Sequence, residues 1–342
     1  MAEPTRRELA LAALRHEETD RVPCNFMLSP PARRKLQAHL GQDDVEGFLG
    51  NCLYLYGCSD KPLYASPDQH GPTITDQYGV VWATSHSDRG YPVGHPLAAP
   101  TLESYDFPDP LESRRWERVP QVAALHPECL RLAVVGDLWE RPNFLRGLQP
   151  LLLDLRENPG FVHDLLEHLA AYNLATLEGM VRFAPDGIFI SDDYGLQGSL
   201  MMSPTDWRGF VKPRLRLLLR AAQRHGLRTM LHSCGCIRDI IPDLIELGLD
   251  ILHPIQPEAM DILALKREYG RDLTFCGGIG TQQLLPMATP DAVRTEVWRT
   301  AEEMGRGGGY ILEPGITVQG DVPLANVLAL VEAAREYRRG RP

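Results

Sequence analysis

The sequence predicts an α/β barrel of eight parallel strands in a single domain spanning residues 1–342, and length, composition and alternation carry that prediction. A chain of 342 residues is long for an ordinary domain but within the range that an α/β barrel with insertions fills. With 44% hydrophobic and 23% charged residues it has the balance of a globular protein with a large core. From about residue 130, short apolar runs rich in β-formers alternate with longer helical stretches, as parallel βα units do.

Taken in order, the stretch up to Arg15 has helical periodicity and forms an N-terminal helical extension. Val22–Met27 and Leu53–Tyr56 are the two strands that complete an eight-stranded count. Gly71–Trp82 alternates and turns at Tyr78-Gly79 with no crossover helix, so it reads as a hairpin insertion. The proline-rich region from Tyr91 to Pro110 reads as a surface loop. The remaining strands are Leu132–Gly136, Gly187–Ser191, Thr229–Ser233, Asp250–Pro254, Leu273–Gly277 and Tyr310–Glu313. Helices lie between them near Asn158–Phe183, Ile237–Leu247, Met260–Tyr269, Pro290–Met304 and Leu324–Tyr337. Another starts at Ser203-Pro204-Thr205-Asp206, with a serine cap, proline at the first helical position and an acid three residues on, and runs towards Arg224, where Gly226 stops it.

The net charge of −10 lacks the basic face of a nucleic-acid binder. No apolar stretch of signal-peptide type opens the chain, and no run reaches the ~18 residues of a membrane span, so a cytoplasmic protein with no membrane partner is expected. Seven cysteines without an export signal point to reduced thiols or metal ligands.

The sharpest local signal is Leu231-His232-Ser233-Cys234-Gly235-Cys236, where a strand ends in a glycine-containing turn. Residues i and i+2 of a strand share a face and sit ~6.7 Å apart, so His232 and Cys234 can converge on one ion. Imidazole and thiolate are ligands that zinc prefers. Strand ends of an α/β barrel gather at one face, which makes Cys276 the preferred third ligand, Glu313 the alternative and Cys236 a reserve. Glu313, Asp192 and Asp193 are the candidate catalytic residues; the two aspartates close the strand Gly187–Ser191, where a carboxylate either contacts substrate, orients a metal-bound histidine or caps the next turn. Asp137 and Glu140 follow another strand and give a weaker signal, and Cys24, Cys52, Cys58 and Cys129 read as apolar thiols.

Together, Arg15-His16-Glu17-Glu18-Thr19-Asp20-Arg21-Val22-Pro23, Ser191-Asp192-Asp193, Ser203-Pro204, Lys212-Pro213, His232-Ser233-Cys234-Gly235, Gly277-Gly278-Ile279, Gly307 to Leu312, and Asp321-Val322-Pro323 with Asn326 resemble the uroporphyrinogen decarboxylase superfamily along nearly the whole chain. The resemblance implies a TIM (β/α)8 barrel, in agreement with the strand reading. It also implies one of two chemistries. The decarboxylases act without metal or cofactor on a tetrapyrrole with eight carboxylates and carry an Arg-Gln-Ala-Gly-Arg-type segment after the first strand; here that stretch is Asn25-Phe26-Met27-Leu28-Ser29-Pro30-Pro31-Ala32-Arg33.

The corrinoid-dependent methyltransferases of the superfamily use zinc held by a His-X-Cys pair, matched by His232 and Cys234, and a later Cys after a Pro-Gly. Here Pro314-Gly315 is followed by Ile316, so the third ligand departs from that pattern. The expected function is therefore zinc-dependent methyl transfer between a small-molecule methyl donor or acceptor and a corrinoid (cobalamin) on a separate carrier protein, with demethylation of a methyl ether preferred. The alternatives are metal-free decarboxylation of uroporphyrinogen and a non-catalytic barrel that binds the corrinoid or a partner.

Overall fold

Short apolar runs bounded by glycine, proline and aspartate form ten strands in the computed structural model, which describes residues 3–58, 62–86 and 89–340. In chain order they are β1 (Leu53–Gly57), β2 (Thr73–Thr75), β3 (Val81–Ala83), β4 (Tyr91–Gly94), β5 (Leu130–Gly136), β6 (Gly187–Ser191), β7 (Arg228–His232), β8 (Ile251–Ile255), β9 (Thr274–Ile279) and β10 (Tyr310–Pro314). Seven of them make one parallel sheet in the order β1-β5-β6-β7-β8-β9-β10. Each strand pairs with its successor and helices cover the outside, which is the winding of a TIM barrel.

The expected strand Val22–Met27 is not a regular strand, yet it occupies the eighth position. The backbone N–H of Asn25 donates to Leu312 at 2.9 Å and that of Leu312 to Pro23 at 2.8 Å, while Cys52 donates to Cys24 at 2.9 Å. The segment thus bridges β10 and β1 and closes the barrel. Its ladder is broken for two local reasons: Pro23 has no N–H, and the N–H of Phe26 is taken by the Asn51 side chain at 2.7 Å.

The hairpin insertion is β2 and β3, antiparallel, turning at Gly79 with φ +78°. Asp76 holds the turn by accepting the N–H groups of Tyr78 and Val80 and the indole N–H of Trp82. The region expected to be wholly loop after Tyr91 instead contributes β4, which pairs with β3. Pro92 is tolerated because β4 is an edge strand.

Alternation along the barrel strands sends Leu132, Phe189, Met230, Ile251, Cys276 and Ile311 into the lumen. The N-terminal helix Arg6–Leu14, started by a capping box between Thr5 and Glu8, closes the bottom of that lumen with Ala10, Ala13 and Leu14. Opposite faces of the same strands pack on the outer helices, of which Pro159–Val181 is the longest. The helix expected from Ser203 begins at Pro204 with the Ser203 hydroxyl accepting the Asp206 N–H, passes through a π turn at Trp207–Val211 and continues to Arg224. No helix among the described residues is long and apolar enough to cross a membrane.

Candidate functional site

Strand β7 ends at His232, and its period of two points Met230 and His232 into the barrel. The same period on β6 sends Phe189 and Ser191 inward and carries on to Asp193, while Asp192 faces out. Ser191 lies in register with His232, and His232 with His253 on β8. The turns after β6 and β7 are laced together: the Tyr194 N–H donates to the Ser233 hydroxyl at 2.9 Å and the Cys234 N–H to Asp193 Oδ1 at 2.8 Å. Gly235 has φ +80°, and a Cβ there would meet Gly195 and Leu196 backbone atoms at 2.5 Å, so only glycine fits. This lacing brings Asp193 and Cys234 to the mouth beside His232.

Three donors meet there. Cys234 Sγ lies 3.4 Å from His232 Nε2, and Asp193 Oδ1 lies 3.5 Å from the same nitrogen. Ligands about 2.1–2.3 Å from a tetrahedral zinc ion are about 3.5 Å apart, which both contacts to His232 Nε2 match; carboxylate, imidazole and thiolate suit that ion in chemistry, and the three donor atoms lie within 4.8 Å of one another. The His232 and Asp193 side chains keep 20% and 23% of their surface exposed, which leaves a side open to a fourth ligand. Burial alone would lower the His232 pKa, but the Cys234 sulfur and the Asp193 carboxylate outweigh it and raise it. Asp193 is in turn held below the usual carboxylate range, with burial outweighed by His232 and the Cys234 N–H. Such a cluster stabilises positive charge at its centre.

A second cluster lies beneath the first. Cys276 Sγ donates to Glu313 Oε2 at 2.9 Å, Asn25 Nδ2 donates to Glu313 Oε1 at 3.0 Å, and His253 Nε2 is 3.6 Å from Glu313 Oε2. His253 and Glu313 are 0% and 2% exposed. Burial lowers the pKa of His253 despite the Glu313 carboxylate beside it, and burial pushes the Cys276 thiol well up. Glu313 stays below its ordinary value because His253, Cys276 and Asn25 together outweigh its burial. The two clusters touch where His232 Nδ1 meets His253 Nδ1 at 2.9 Å.

His232 and Cys234 therefore come together as their spacing predicts, joined by Asp193. Cys276 does not join them: β8 runs between β7 and β9, and two strand spacings of ~4.8 Å separate Cys276 from His232. Glu313 sits with Cys276 in the lower cluster. Cys236 is in neither donor cluster, and its N–H is bonded to the Leu196 carbonyl. Asp192 is no part of the mouth; it is fully buried and accepts the N–H groups of Leu138, Trp139 and Glu140, capping the first turn after β5. Asp137 contacts Arg141, and Glu140 accepts from Arg89. His253 went unnoticed in the sequence, although it stands two residues after lumen-facing Ile251 and the same alternation finds it.

A cavity of about 440 Å³ opens over the ends of β1, β5 and β6. Leu55, Val134, Phe189 and Ser191 form its lumen-side wall, and Arg115, Asp137 and Arg141 also border it. The Phe189 ring stands edge-on to His232, 6.1 Å between centroids, so this cavity adjoins the donor triad.

Comparison with known proteins agrees with this architecture. The chain is similar to the methylcobamide:CoM methyltransferase MtaA of Methanosarcina barkeri, 29% identical over 164 residues, which cover 48% of this chain and 45% of that protein. It is also similar to the uroporphyrinogen decarboxylase of Methylococcus capsulatus, 26% identical over 190 residues, 53% of this chain and 50% of that protein. The chain thus spans about half the length of the curated relatives it matches. A methyltransferase from Methanosarcina mazei superposes with a TM-score of 0.74 at 19% identity, covering 98% of this chain and 99% of that one, a likeness of fold. The family description "Uroporphyrinogen decarboxylase (URO-D)" matches residues 143–337, more than half of the sequence, and the chain belongs to that family.

Proposed function

We propose that the protein is a zinc-dependent methyltransferase that exchanges a methyl group between a small substrate and a corrinoid on a carrier protein, with demethylation of a methyl ether as the favoured direction. The observation that carries this reading is the donor triad of Asp193, His232 and Cys234, in which the sulfur and the carboxylate oxygen each lie at the edge distance of a zinc tetrahedron from His232 Nε2, with one side open. The likeness to a methylcobamide methyltransferase supports the corrinoid assignment.

Zinc bound by these residues supplies Lewis acidity toward the substrate oxygen or sulfur. The remaining work falls to the chain. Asp193 holds the Cys234 turn in place through its N–H, and Leu55, Val134 and Phe189 give the methyl-bearing end of the substrate an apolar wall that excludes water. An uncharged methyl ether suits that wall better than a polyanion. Arg141, which also borders the cavity, is already paired with Asp76 and Asp137.

The test is a direct assay with a reduced corrinoid and a panel of methyl ethers. The methyl group passes to cobalt, the ether oxygen takes a proton and leaves as the alcohol, and the spectrum changes from that of cob(I)alamin to that of methylcobalamin. Zinc-dependent conversion supports the proposal; turnover of uroporphyrinogen by metal-free protein overturns it in favour of decarboxylation.

A further inference from the structure

His253, Cys276 and Glu313 could be taken for a second metal site, since their donor atoms lie within 4.8 Å of one another. Geometry argues otherwise. Cys276 Sγ and Glu313 Oε2 are 2.9 Å apart, a hydrogen-bond distance, whereas sulfur and oxygen on one zinc ion would be about 3.6 Å apart. The contact between the two imidazoles is more decisive. At 2.9 Å, the Nδ1 atoms of His232 and His253 share one hydrogen, so only one of the rings carries it. A neutral imidazole that binds metal through Nε2 must carry its hydrogen on Nδ1. Both rings cannot do so across this contact, and His232 and His253 cannot both be Nε2 ligands.

We infer that the lower cluster supports a single ion: His253 and Glu313 are positioning residues that fix the metal-facing nitrogen of His232. This rests on the metal reading proposed above. His232, the ring at the open mouth beside Cys234 and Asp193, carries the shared hydrogen on Nδ1 and donates it to His253. His253 then keeps its own hydrogen on Nε2. That nitrogen is fully buried, has no hydrogen-bond partner within range and has Glu313 Oε2 3.6 Å away, so a shift of well under 1 Å completes the bond. Glu313 is itself held from two other sides by Cys276 and Asn25. The line Glu313, His253, His232 ends at the ion, and aligns the imidazole as carboxylates behind metal-bound histidines do.

Two measurements test this. The first is zinc stoichiometry and affinity, by chelator competition, for the wild type, Glu313→Gln and Glu313→Leu. One equivalent of zinc is expected, with affinity within a few-fold in Glu313→Gln, whose amide oxygen still accepts from His253, and about 10- to 100-fold weaker in Glu313→Leu. Two equivalents, one of them lost in Cys276→Ala, or unchanged affinity in Glu313→Leu, would overturn the inference. The second needs no variant: ¹⁵N NMR of the His253 side chain, with and without zinc. Nδ1 bare and Nε2 protonated is expected in both states, and a protonated Nδ1 overturns the inference. If the wild type binds no zinc, the functional proposal falls, and the His253 signature alone still decides how the two rings share their hydrogen.

Discussion

The Asp193 carboxylate accepts the backbone N–H of Cys234 at 2.8 Å while the same oxygen lies 3.5 Å from His232 Nε2. One side chain therefore shapes the turn that presents the sulfur and places an oxygen where the proposed ion would sit. Asp193→Ala removes both functions and is expected to weaken zinc binding by at least about 100-fold. Asp193→Asn keeps an oxygen for the Cys234 N–H and should retain the melting temperature of the wild type while still losing affinity. Chelator competition and thermal melts separate the two effects.

Asp192, its neighbour, has the opposite character. Asp192→Ala strands the N–H groups of Leu138, Trp139 and Glu140 in the interior, at a cost of about 2–4 kcal/mol. Urea unfolding should register that loss, while zinc content per folded molecule stays at the wild-type level.

Gly235→Ala is expected to cost stability and metal together. The left-handed backbone at φ +80° disfavours alanine by about 1–2 kcal/mol, and the added carbon would press on Gly195 and Leu196. The turn must move, and Cys234 with it; reduced zinc stoichiometry alongside a lowered melting temperature is the outcome to look for.

The cavity wall gives a substrate test. Val134→Phe fills space beside Phe189 and should raise KM for a methyl ether by about tenfold or more without changing zinc content. An unaltered KM would mean that the substrate lies elsewhere.

Acid stability has a specific contributor outside the site. Asp186 is pushed up by burial but held below its ordinary value by Arg7 and Arg131, whose backbone N–H it also accepts at 2.9 Å. Because its folded pKa is depressed, its contribution is fully present above the unfolded value near 4 and fades as the pH falls through the lower folded value. Wild type should exceed Asp186→Asn in urea stability at pH 7, and the gap should narrow towards pH 3.

The barrel and the His232–Cys234 pair were legible because both are local: apolar runs with a period of two, and two donors on one strand face. The third donor was not. Choosing between Asp192 and Asp193 requires the phase of β6 relative to the lumen, and rejecting Cys276 requires knowing that β8 intervenes; both depend on strand order and register across the sheet. The closing segment was legible as apolar and extended, but Pro23 and the Asn51 side chain keep it from a regular ladder. His253 carries no local signal of its own, since it lies mid-strand with no second donor at i+2, although its lumen-facing position follows from Ile251.

The most direct measurement of the central claim is zinc content after purification without added metal, for the wild type and for His232→Ala, Cys234→Ala and Cys276→Ala. Near one equivalent in the wild type and in Cys276→Ala, with loss in both His232→Ala and Cys234→Ala, is the predicted pattern. Zinc that persists without His232 and Cys234, or that disappears only with Cys276, would contradict it.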